Sequence, residues 1–362
     1  MSNPYNKILI SKKMQKCVAG VKRVDEQGSL YCMECDADYY GTISWPIKAL
    51  GLVKKGGCSA FISKTPEGDY ITGRNYDMPH KDDKDNVFGV DMVLKCMPEG
   101  KYRSIAGVDT VWLSSLGIKM SPGCLDDGTT GITGLALMPY LCMDGMNEKG
   151  FSVSILALDI KNGEKAVAQN VKGKKKVIIT MLVRYMLDSC ANVEEAIALA
   201  KSYNLTNTFG ADYHLFVTDS EGNSAALEWR NNQFRAVYTN AITNCYVGYD
   251  DAEDCYYPDG LKEKWVPLDI TPKREYHFGY GHGYERYKKL IRFLDSHIDP
   301  ASENCSSLMT PEEGQQLLGS VAQNYNGMLT SFTQYSVIYN NTKLTAYYWM
   351  FQDYEKKYSF NM

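Results

Sequence analysis

The sequence predicts an α+β fold in which two antiparallel sheets stack on each other and carry helices outside. Three observations lead there. Segments of strand-like patterning come in consecutive groups joined by tight turns. Helix-like segments come as adjacent pairs. The regular strand–helix–strand alternation of a parallel sheet is missing.

In chain order, residues 1–57 form a polar leader of mixed patterning, and composition leaves open whether it is a pro-segment or part of the fold. Residues 58–64 and 69–76 alternate as strands about the turn Pro66-Glu67-Gly68 and form a hairpin. Strands follow at 87–95 and 102–108, then at 151–158 after the turn Asn147-Glu148-Lys149-Gly150. Apolar residues recur at three and four positions in 176–189 and 193–202, which predicts two helices, the second capped by Asn192. A second hairpin joins 213–219 to 224–229 through Ser220-Glu221-Gly222-Asn223, and 233–238 adds a strand. Helices are predicted at 284–297 and 311–323, the latter capped by Thr310. A hairpin of 334–339 and 343–351 about Asn340-Asn341 closes the chain. There is no internal repeat and no low-complexity tract.

With 362 residues, the chain can bury a large core. A net charge of −4 and a pI near 5.8 argue against a nucleic-acid surface, and Lys172-Gly173-Lys174-Lys175-Lys176 reads as a solvated turn. No apolar stretch reaches the ~18 residues of a membrane span, and the N-terminus lacks the apolar core of a secretory signal, so a cytoplasmic location is expected. The 11 cysteines fit reduced thiols. The CxxC motif of Cys32 and Cys35 has no second pair at zinc-finger spacing. No metal or other cofactor is expected.

Cys58 is the residue with most chemistry in its surroundings. It follows Gly56-Gly57, and Gly73-Arg74-Asn75-Tyr76-Asp77 returns on the paired strand, which brings Arg74 and Asp77 back towards it. Cleavage between Gly57 and Cys58 would free an α-amine on the residue that carries the thiol. Such an amine can act as the base, so no histidine is required. The five histidines are His80, His214, His277, His282 and His297. His214 reads as a core or wall residue, and His282 lies near Arg286 in sequence. No papain-like motif surrounds Cys58.

These residues resemble the choloylglycine hydrolase family of bile salt hydrolases and penicillin V acylases, from Cys58 to the C-terminus. Cys58-Ser59 matches the start of the mature chain in that family, and Gly73 to Asp77 matches its G-R-N-x-D motif. Asn147 to Gly150 resembles its N-E-K-G turn, Thr243-Asn244 its T-N segment, and Tyr284-Glu285-Arg286-Tyr287 the segment of its last catalytic arginine. The resemblance implies an N-terminal-nucleophile (Ntn) hydrolase αββα sandwich at 58–362, a leader at 1–57, and a homo-oligomer, tetrameric in homologues.

The resemblance also implies roles. Cys58 attacks the amide carbonyl to form a thioester, Asp77 orients the freed amine, Arg74 favours the thiolate, Asn244 donates to the oxyanion, and Arg286 supports the charge network. Gly57 and Cys58 are the processing pair. The substrate is a small N-acyl amide with a bulky apolar acyl group, a generic N-acyl amide ahead of a bile salt or penicillin V. Ala157 and Leu158 stand where the family's two subgroups carry a polar Asn or Tyr, so only a backbone N–H is left there as second oxyanion donor. The alternatives are an acyltransferase of the isopenicillin N type using the same thioester, a non-catalytic binding protein on the same fold, and a papain-type cysteine protease.

Overall fold

The computed structural model describes residues 10–40, 57–80, 87, 89–126, 132–158, 169–206, 212–230, 232–247, 282–301, 307–323 and 332–362. In chain order these form α1 (Lys12–Ala19), β1 (Lys22–Arg23), β2 (Leu30–Cys35), β3 (Gly57–Lys64), β4 (Tyr70–Asp77), β5 (Asp91–Cys96), β6 (Ser104–Asp109), α2 (Ile132–Leu135), β7 (Cys142–Asn147) and β8 (Ser152–Ala157). Then come β9 (Lys175–Val177), α3 (Ile179–Ser189), α4 (Val193–Lys201), β10 (Tyr203–Leu205), β11 (Tyr213–Thr218), β12 (Ser224–Arg230), β13 (Gln233–Tyr238) and β14 (Ala241–Ile242). The chain ends with α5 (His282–Asp295), α6 (Pro311–Ser320), β15 (Thr333–Asn340), β16 (Thr345–Met350) and β17 (Tyr358–Asn361).

The strands build a nine-stranded sheet, β1-β2-β5-β6-β7-β8-β11-β12-β13, and a six-stranded sheet, β14-β3-β4-β15-β16-β17. The alternation of β3 shows why they stack. Cys58, Ala60 and Ile62 face the core between the sheets, together with Val153, Ile155, Leu215 and Val337. Phe61 points the other way, into an apolar layer with Ile71, Leu290, Leu294, Leu317 and Ile338, under α5 and α6. On the far side, α3 packs against β7 and β8. Two sheets inside and helices outside make the predicted αββα sandwich.

Local chemistry accounts for the element ends. The Ser11 hydroxyl accepts from the Met14 N–H at the start of α1, and the Asn192 Oδ1 from the Glu195 N–H at the start of α4. Thr310 and Glu313 close a reciprocal capping box on α6, with Pro311 in its first turn. The β3–β4 turn uses Gly68 at φ +96°, a conformation that side chains with a Cβ rarely adopt.

Residues 10–40, within the predicted leader, supply α1, β1 and β2 to the nine-stranded sheet. β2 pairs with β5 along its whole length, and it does so in parallel, an exception to the predicted antiparallel pairing. Met14, Leu30, Tyr31, Met33, Cys35 and Tyr39 are buried in the main core. Tyr39 donates to Asp188 at 2.8 Å, and Arg23 pairs with Asp126 at 2.8 Å.

Other boundaries differ from the sequence reading for physical reasons. The helix predicted from 176 begins at Ile179, because 175–177 pair in parallel with 203–205 as β9 and β10. The strand predicted from 87 begins at Asp91, whose N–H is held by the Ser29 carbonyl. The last predicted helix stops at Ser320 instead of 323, because Gln323 is drawn off to Thr333 and Asp77. The final hairpin gains a partner, β17, on β16. His277 and Gly281 lie outside the described residues.

If β2 is part of the core, shortening a side chain there has a core-sized effect. Met33→Ala is expected to lower stability by about 2–5 kcal/mol in urea unfolding of the full chain. A loss below about 0.5 kcal/mol would mark the segment as dispensable.

Candidate active site

The β3–β4 pairing sets the site. Cys58 lies opposite Tyr76, Gly57 opposite Asp77, and Ala60 opposite Arg74. Arg74 and Tyr76 therefore share the inter-sheet face with Cys58, while Asp77 sits beside the Gly57–Cys58 peptide.

Arg74 is fully buried between the sheets. Its Nη2 donates to the Ile155 carbonyl at 2.7 Å and reaches the Cys58 Sγ at 3.5 Å. Its Nη1 is paired with Asp144 of β7. Asp144 also accepts from the Tyr335 hydroxyl at 2.6 Å and the Tyr339 hydroxyl at 2.5 Å. Burial works against the guanidinium charge, but the groups around it, Cys58 first, hold its pKa above the ordinary value. Arg74 thus brings a fixed positive charge to the sulfur.

A second cluster surrounds the backbone of Cys58. Its N–H donates to the Asn244 Oδ1 at 2.9 Å. Arg286, from α5, donates to the Cys58 carbonyl at 2.7 Å, lies 3.4 Å from Asp77, and also bonds the Asn244 Oδ1. Asp77 accepts from the Thr333 hydroxyl at 2.6 Å and the Gln323 amide at 2.8 Å. Burial pushes the Asp77 carboxyl up, against the opposing pull of Arg286, Thr333 and Gln323. A Cβ at Gly57 would come within 1.8 Å of the Gln323 Nε2 and 3.2 Å of the Arg286 Nη2, so a side chain here would push the Gln323 amide off Asp77.

The structure therefore gathers Gly57, Cys58, Arg74, Asp77, Asn244 and Arg286 in one place. Two details differ from the expected arrangement. The nitrogen of Cys58 is held by Asn244, while Asp77 is engaged by Thr333, Gln323 and Arg286. The Asn244 amide, the expected oxyanion donor, gives its Nδ2 to the Ala157 carbonyl at 2.6 Å. The Leu158 N–H is bonded to the Asp212 carbonyl.

Several site residues were not singled out from sequence. Asp144 carried a usable signal, a carboxylate within an otherwise apolar strand, CMDGMN, that is buried throughout. Gln323 and Thr333 carried none, since they reach Asp77 only because α6 ends where β15 begins. A small cleft, partly open to solvent, meets Cys58, and its walls include Met78, Trp112, Met143, Ile155, Ala157 and Tyr213.

The remaining candidates have other partners. His214 is buried, bonded to Glu228 at 3.2 Å and to the Thr243 carbonyl at 2.7 Å, and so holds the segment that carries Asn244. Asn147 of the N-E-K-G turn ties the end of α3 through the Leu187 and Cys190 carbonyls. His297 bonds Ser296 and the Phe293 carbonyl. Cys32 and Cys35 are free thiols in β2. Among the described residues, no group of three metal-binding side chains gathers around them, and no helix is long and apolar enough to cross a membrane.

Residues 58–245, just over half of the chain, match the model for linear amide C–N hydrolases of the choloylglycine hydrolase family. No curated protein matches the chain. Among solved structures, a cysteine-to-alanine variant and an arginine-to-leucine variant of conjugated bile acid hydrolase from Clostridium perfringens each superpose with a TM-score of 0.53 at 16% identity, covering 84% of this chain and 92% of theirs. Penicillin V acylase from Agrobacterium tumefaciens aligns at 15% identity with a TM-score of 0.48, over 84% of this chain and 86% of its own. The chain belongs to the choloylglycine hydrolase family and is a hydrolase of linear amide C–N bonds.

Proposed function

We propose that the chain is a self-processing cysteine amidase that acts on N-acyl amides with a bulky apolar acyl group, and that Cys58 is its nucleophile. One observation carries the reading. The sulfur and the nitrogen of the same residue each meet a dedicated polar partner, Arg74 for Sγ and Asn244 for N, and among the described residues no histidine bonds either atom. That is the arrangement a thiol needs when its own amine is the base.

Two steps follow. In the first, the Cys58 thiol adds to the Gly57 carbonyl, and the C–N bond breaks as the acyl group passes to sulfur. Water then hydrolyses the thioester, releasing the Gly57 carboxylate and leaving a free α-amine on Cys58. The tight space at Gly57 supports this step, because glycine leaves Gln323 and Arg286 in place around the peptide that reacts. In the second, that amine takes the thiol proton, the thiolate attacks the substrate carbonyl, and the amine returns the proton to the leaving nitrogen. Loss of Gly57 from its place opposite Asp77 brings the new amine within that carboxylate's reach. Asn244 acts as oxyanion donor once the substrate oxygen replaces the Ala157 carbonyl on its Nδ2. Arg286 holds Asn244 and Asp77 in one frame. The apolar cleft walls, with Ala157 in place of a polar side chain, support the preference for an apolar acyl group.

Burial of β2 supports a further part of the reading. After cleavage the N-terminal segment stays in the sheet as a second, non-covalent chain, because its departure would strip β5 of one of its two partners and expose the core.

Mass spectrometry tests processing. Under denaturing conditions the active protein is expected as two chains, broken between Gly57 and Cys58, and under native conditions as their sum. Cys58→Ala is expected to run as one intact, inactive chain. An active preparation with an unbroken backbone would overturn the mechanism. Gly57→Ala is expected to slow processing severely while leaving the chain folded by circular dichroism. Wild-type processing rates in that variant would show that the crowding at Gly57 is irrelevant. Asn244→Ala is expected to reduce kcat on an N-acyl amide by about 10²–10³. A change in KM alone would instead assign Asn244 to binding.

A further inference from the structure

A second polar cluster lies behind the cleft, and the mechanism does not use it. His80, Asp91 and Asp109 are all buried, and one ligand atom from each lies within 4.8 Å of the other two. The His80 Nε2 is 2.9 Å from the Asp109 Oδ2 and 3.9 Å from the Asp91 Oδ1. Asp109 is otherwise well used, since its Oδ1 accepts from the Val111 N–H at 2.7 Å and its Oδ2 from the Tyr76 hydroxyl at 2.7 Å.

Asp91 is different. It is 1% exposed, and neither of its carboxylate oxygens has a hydrogen-bond partner among the described residues. Asp25, from the N-terminal segment, lies close enough for its charge to act on Asp91, and its own Oδ2 is also buried without a hydrogen-bond partner. A buried carboxylate without hydrogen bonds is costly, and the His80 imidazole, 3.9 Å away, is too distant to bond it.

We infer that His80, Asp91 and Asp109 form a site for a divalent first-row transition cation, with zinc as the first candidate. One imidazole and two carboxylates make a nitrogen–oxygen donor set of the kind zinc, cobalt and manganese take. Separations of 2.9 and 3.9 Å from the His80 Nε2, with all three ligand atoms within 4.8 Å of one another, suit bonds of about 2.0–2.2 Å to a shared ion after small side-chain shifts. The cation takes the place of the proton between His80 and Asp109 and gives Asp91 its missing partner. The residue positions 80, 91 and 109 follow no spacing motif, so the cluster exists only in the folded chain.

The site is placed to act on the cleft as a structural clamp. Tyr76 bonds Asp109, receives the Trp112 indole N–H at 3.2 Å, and pairs across the strands with Cys58. Asp91 lies opposite Leu30 in the β2–β5 pair, and its N–H bonds the Ser29 carbonyl. The ion therefore joins the cleft wall to the strand pair that carries the N-terminal segment.

Metal titration of the full-length protein, stripped with a chelator and dialysed, tests the site. One equivalent of Zn²⁺ or Co²⁺ is expected to bind and to raise the melting temperature. The bound cobalt is expected to show weak visible bands without intense sulfur-to-cobalt charge transfer. Cys58→Ala should bind as the wild type does, while Asp91→Asn should lose about tenfold or more in affinity. Absence of stoichiometric binding, or a sulfur charge-transfer band that places the ion on cysteines, would overturn the proposal. The wild-type cobalt spectrum decides the matter even if Asp91→Asn does not fold.

Discussion

The buried pair of Arg74 and Asp144 is the interaction on which the site depends. Arg74 belongs to the six-stranded sheet and Asp144 to the nine-stranded one, so their contact joins the two halves of the sandwich beside Cys58. Such a pair is tolerable only when both charges are matched and their remaining hydrogen-bonding sites are largely filled. Here the Tyr335 and Tyr339 hydroxyls and the Ile155 carbonyl fill most of them. Loss of one partner would leave the other as an isolated charge in a dry interior. The geometry around the sulfur is therefore fixed by the same contacts that fix the spacing of the sheets.

The backbone side of Cys58 is organised differently. Asn244, Arg286, Gln323, Thr333 and Asp77 come from separate elements and meet through side-chain hydrogen bonds. Their common position follows from where those elements end. β14 lies beside β3, α5 packs on β3, and α6 stops short so that Gln323 can turn inwards. Sulfur and nitrogen of one residue thus face two environments, an inter-sheet one built on a strong ion pair and an outer one built on a hydrogen-bonded mesh.

Much of this was legible in the sequence. The β3–β4 hairpin has a local cause, a glycine turn between two alternating segments, and local causes can be read from local text. It brings Arg74, Asp77 and Cys58 together for that reason. Asn244 and Arg286 carried no such local signal and were recognisable only by resemblance to a family pattern. The place of residues 10–40 was not legible. β2 pairs in parallel with a strand far along the chain, and its polar surroundings hide nine buried core positions that only long-range packing defines. The same holds for β9, where pairing with β10 overrode a helical pattern, and for Gln323 and Thr333, whose value to Asp77 depends on the tertiary fold alone.

The parallel pairing of β2 with β5 bears on how the molecule is made and lost. Formed on the intact chain, that pair benefits from the high effective concentration a tether provides. With the proposed cleavage between Gly57 and Cys58, reassembly becomes an encounter between two separate molecules and so depends on dilution. The ripened enzyme would then be a one-way product, built as a single chain and unable to rebuild itself at low concentration after being melted apart.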